Sequence, residues 1–81
     1  MNLSMEVNIN KTILGLTDEQ SSLLEQLFSF RFYGCDDERV VKTWAERIKA
    51  GTEREYADSE TLKLMNSHAR MYDYQFKEDV K

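Results

Sequence analysis

Hydrophobic positions along the chain change their period twice, and the changes divide it. Over the first fifteen residues, Leu3, Met5, Val7 and Ile9 alternate with Asn2, Ser4, Glu6, Asn8 and Asn10, which is the two-residue period of a half-buried strand. This predicts an extended, β-like N-terminal arm over residues 1–15. It would pair with residues 12–14 across an Asn10-Lys11 turn, with a second chain or with residues 28–32, or it would lie as a loosely docked arm. From residue 17 the period becomes helical. Thr17-Asp18-Glu19-Gln20 spells a capping box, in which hydroxyl and amide side chains satisfy the first free backbone N–H groups. Leu23, Leu24, Leu27 and Phe28 then recur three and four residues apart, and Gly34 supplies a stop.

Phe28, Phe30 and Phe32 alternate with Ser29 and Arg31, so a strand competes with a helix there; Gly34 followed by Asp36-Asp37 favours a helix–helix junction. A second helix begins at these acids and carries Val40, Val41, Trp44, Ala45 and Ile48 on one face, ending at Gly51. After a polar loop over 51–58, a third helix repeats Leu62, Met65, Ala69, Tyr72 and Phe76. The expected fold is mainly α. It is a single small domain over residues 1–81, with three helices at about 18–33, 37–50 and 59–77 behind the arm. The absence of proline and the presence of only three glycines agree with long helices and short joints.

Four of the nine aromatic residues fall between Phe28 and Tyr33, and no single helix face can hold them all. At least one or two rings must point away from the core, and exposed rings mark interaction surfaces. On the last helix, Tyr74 falls two residues from both Tyr72 and Phe76 and so points away from their shared face. Phe30, Phe32, Tyr33 and Tyr74 are therefore the candidate partner-binding residues.

Charge and composition narrow the classes of function. The net charge is −4 and the bases are interleaved with acids, which disfavours a nucleic-acid backbone as partner. The lone Cys35 excludes an internal disulfide, and with one histidine, His68, a structural zinc shell cannot be filled. No spacing matches a phosphate-binding, dinucleotide-binding or calcium-binding loop, and no cofactor or metal site is expected. Cys35 lacks a neighbouring base and is followed by two acids, so it makes a poor nucleophile. No acid–base set stands out, and the reading is not an enzyme.

No run is long and apolar enough to span a membrane, and the N-terminus lacks the basic and apolar regions of a secretory signal. The expected location is cytoplasmic. A chain this short builds a thin core, and a partner subunit is one way to supplement it; a homodimer is expected, using residues 3–9 or 27–33. The function expected is a non-enzymatic regulator or inhibitor that contacts a larger protein, of the size class that phages and mobile elements encode. The alternative is a small helical DNA-binding regulator or antitoxin-like dimer.

Overall fold

The structure, a computed structural model, describes residues 3–35 and 37–80, with side chains described through Met71. The described chain is helical throughout and contains no strand. Helix α1 spans Leu3–Leu14, and α2 spans Asp18–Gln26 and runs on into a wide π-turn at Leu27–Arg31. Helix α3 spans Glu38–Ala50, a 3-10 turn follows at Glu53–Tyr56, and α4 spans Ser59–Val80.

The N-terminal segment corrects the expectation of an extended arm and adds a helix to the expected three. Alternating apolar residues also fit a helix when only half of them face inward. Leu3, Val7, Asn10 and Leu14, spaced four, three and four apart, turn toward α2 and α3, while Met5, Ile9 and Ile13 turn out. A helix satisfies its backbone groups within the segment, whereas a strand would need a partner that this fold does not offer. The inward polar residue is also satisfied: the buried Asn10 amide donates to the Glu6 carbonyl at 2.8 Å. Gly15, left-handed at φ 67°, lets the Leu16 N–H reach back to the Lys11 carbonyl and close the helix.

The predicted caps are present. The Thr17 hydroxyl accepts from the Gln20 N–H at 3.1 Å, and the Gln20 side chain accepts from the Thr17 N–H at 2.9 Å. The same Gln20 amide donates to the Ile48 carbonyl at 3.3 Å, and Lys49 donates to the Gly15 carbonyl at 3.2 Å. One end of the bundle is thereby knotted where α1 stops, α2 starts and α3 stops. Asp37 caps α3 by accepting from the Arg39 N–H, and Gly51 ends it in the left-handed region at φ 77°.

The core is formed by Val7 from α1, Leu16 from the joint after it, Leu23, Leu24, Leu27 and Phe28 from α2 and its turn, Val41, Trp44, Ala45 and Ile48 from α3, and Met65 from α4. Trp44 is 7% exposed, with Phe32 stacked 5.5 Å away and the Arg47 guanidinium 5.0 Å from its ring centroid. Arg47 also covers Tyr56 at 4.0 Å, so one cation holds the 3-10 turn against α3. Trp44→Ala empties the contact between three elements. Chemical denaturation should show it to be less stable by about 3–5 kcal/mol, with the parent's circular dichroism dominated by helix. A variant as stable as the parent would mean that the indole is not the anchor of this core.

A candidate interaction site on the aromatic turn

Residues 27–33 hold the first candidate surface. The Phe32 N–H donates to the Leu27 carbonyl at 2.7 Å, a bond spanning five residues instead of four. Positions four apart lie on one face of such a turn, as they do on a regular helix. Phe28 and Phe32 therefore share the inward side, with ring centroids 5.3 Å apart, and Phe32 continues the stack to Trp44. Phe30, midway between them, is driven to the opposite side and is 69% exposed; Tyr33, just past the turn, is 85% exposed.

The four candidates thus have separate fates. Phe30 and Tyr33 are presented to solvent on one short segment. Phe32 is half-buried, and its ring is engaged with Phe28, Trp44 and the Arg31 guanidinium. Tyr74 lies on α4 with its side chain outside the described residues.

The turn is fixed by a polar network reached from α4. Asp58, the residue before α4, accepts from the Thr61 N–H at 2.9 Å and from the Thr61 hydroxyl at 2.7 Å, which caps the helix. Arg31, inside the turn, donates through Nη2 to Asp58 and through Nε to the Thr61 hydroxyl at 3.1 Å. The Arg31 guanidinium, followed by the Thr61 hydroxyl and N–H, holds the Asp58 carboxyl far below the usual carboxylate range. Thr61 itself is fully buried, so this network has one foot in the core. The sequence contains the signal for the cap, an acid three residues before a threonine at a helix start, but nothing that announces Arg31 as its partner.

The groups considered for catalysis do not assemble. Cys35 is a free, half-buried thiol packed against the core, and His68 is buried on α4 beside the stripe of Thr61 and Met65. Among the described residues no cluster of three or more His, Cys, Asp or Glu side chains could hold a metal ion, and no helix is long and apolar enough to cross a membrane.

A second exposed apolar surface lies on α1, where the sequence reading named residues 3–9 as a dimer contact but expected an extended arm. Met5, Ile9 and Ile13 are 59%, 42% and 72% exposed along the outer face of α1. Their spacing of four was visible in the sequence, but the strand period claimed the same residues. No protein-family model, curated protein or solved structure matches the chain.

Two titrations separate cleanly on the pH axis. Burial pushes the His68 imidazole below its ordinary value, and the negative charge of Glu19 opposes this in smaller measure. The unfolded chain then takes up a proton that the folded chain resists, so stability is full above about pH 6.5 and falls as the pH drops below it. Asp58 has the opposite habit of holding its charge, so its contribution persists until the pH falls below about 4. Denaturation midpoints should therefore decline between pH 7.5 and 5.5 in the parent, and His68→Gln should flatten that decline while leaving the loss below pH 4. A parent equally stable at both pH values would show that His68 is not held neutral by its surroundings.

Proposed function

We propose that this chain is a non-enzymatic protein-binding regulator or inhibitor that acts by contact with a larger protein, through the edge carrying Phe30 and Tyr33. The observation that carries the reading is the outward placement of these two rings on a turn whose other two rings are locked into the core. Two large aromatic side chains left in water offset nothing within the fold, since Leu24, Leu27, Phe28 and Trp44 already fill its centre. Aromatic residues are enriched at interface centres because each presents much apolar area on few rotatable bonds. Here the backbone between the two rings is also pinned, by Arg31 against Asp58 and by Phe32 against Trp44, so little order remains to be lost on binding. The surrounding charges are paired locally, as Arg39 is with Asp37, and their part is orientation more than affinity.

The test begins with affinity capture of a partner from the native host and ends with titration of that partner against variants. Phe30→Ser and Tyr33→Ser should each change stability by no more than about 0.5 kcal/mol, as expected for exposed positions. At least one should weaken binding tenfold or more, the loss of about 1.4 kcal/mol or greater that an interface anchor carries. Phe32→Ser should instead lower stability, because its ring belongs to the core stack. If both exposed variants bind as the parent does, the contact lies on another face.

A further inference from the structure

We infer that the outer face of α1 is the contact surface for a second copy of this chain, packed antiparallel across a two-fold axis near Ile9. Two rows of side chains run along that face, each with a spacing of four residues. Met5, Ile9 and Ile13 form a tall apolar row, and Ser4, Asn8 and Thr12 form a low, small polar row beside it; together the six line one open groove. Helices pack by laying such four-spaced ridges into the grooves of a neighbour, with axes crossing at about −50°. An antiparallel two-fold near Ile9 keeps each row on its own side, so the apolar ridge meets the partner copy's apolar ridge: Ile9 faces the partner copy's Ile9, Met5 faces its Ile13, and the low Ser4-Asn8-Thr12 rows lie beside one another and let the helices approach. Each patch opposes itself, as a two-fold interface requires.

Charge favours the same occupant. None of the six residues is charged in a chain where charged residues make up 32% and the net charge is −4. Two copies of an acidic protein repel over most of their surface, and this face spares them that. The adjoining groove between α1 and α3 continues the apolar floor through Ile9, Ile13 and Leu14, and its rim balances Glu6 and Glu38 against Arg39 and Lys42. The remaining charge of α1, on Lys11, is turned away to Asp18.

Size sets the strength. A twelve-residue helix is about 18 Å long, and a crossing confined to it is small beside the roughly 1,200 Å² at which stable interfaces begin. The dimer is therefore reversible, forming as the concentration rises through the micromolar range. This inference does not rest on the aromatic edge: the two surfaces are on different elements, and either can fail without the other.

Sedimentation equilibrium of the full chain, from low to high micromolar concentration, should show the mass rising above the 9.6 kDa monomer toward the dimer. Ile9→Glu and Ile9→Lys, each checked for folding by circular dichroism, should separately weaken association at least tenfold, and their equimolar mixture should restore it. Ile13→Asn provides a milder variant of the same ridge should a charge at position 9 unfold the chain, and it too should weaken association. A parent that stays monomeric at every concentration would overturn the inference. So would a dimer that these folded variants leave intact, in which case the copies meet elsewhere.

Discussion

The contact of Phe32 with both Phe28 and Trp44 fixes the aromatic block, at the wide turn that the Phe32 N–H closes on the Leu27 carbonyl. Phe28 and Phe32 stand four residues apart and so share one face of the turn, where Phe28, Phe32 and Trp44 form a continuous series of ring contacts. That spacing turns Phe30, midway between them, away from the core. Core packing and surface display are therefore two consequences of one spacing. Aromatic pairs of this kind contribute about 0.5–1.5 kcal/mol each beyond their buried area, which helps offset the poorer hydrogen bonding of the turn.

The network from α4 adds position more than energy. The Arg31–Asp58 pair is partly exposed, with side chains 35% and 54% accessible, and pairs in water contribute at most about 1 kcal/mol. Its anchor is different: Asp58 is bound to the backbone and hydroxyl of buried Thr61, so Arg31 is tied to the first turn of a helix that cannot shift without disturbing Met65. At the opposite end Gln20 serves two helices at once, capping its own and donating to the Ile48 carbonyl in the last turn of α3. These two junctions fix the helices at both ends.

Much of the fold could be read from the residues because its signals were local. The Thr17–Gln20 box, Asp37 before α3, Gly51 and the stripe from Val41 to Ile48 each act within a few residues and held in the structure. The helix expected over 18–33 is α2, which passes into a π-turn at Leu27 and ends at Arg31; no local pattern in the sequence announced that turn. The polar loop after Gly51 contains a 3-10 turn held by the distant Arg47. The N-terminal segment was misread because alternation and helix spacing overlap when apolar residues occupy every other position. Leu3 and Val7 serve the core and Met5 and Ile9 do not, and only the neighbouring helices decide the division. For the candidate site, counting rings showed that some must face outward. Which ones did so depended on which face met α3 and Trp44, so that Phe32 stands with the core and Phe30 and Tyr33 with the surface.

The division of those rings is the claim on which the functional reading stands, and it can be measured directly. A soluble paramagnetic agent broadens the NMR signals of protons that solvent reaches and spares those that it does not. With the aromatic signals assigned, Phe30 and Tyr33 should broaden strongly, while Phe28 should stay sharp and Phe32 should show nuclear Overhauser contacts to Trp44. A protected Phe30 ring, or a Phe32 ring that broadens and has no contact with Trp44, would contradict the account.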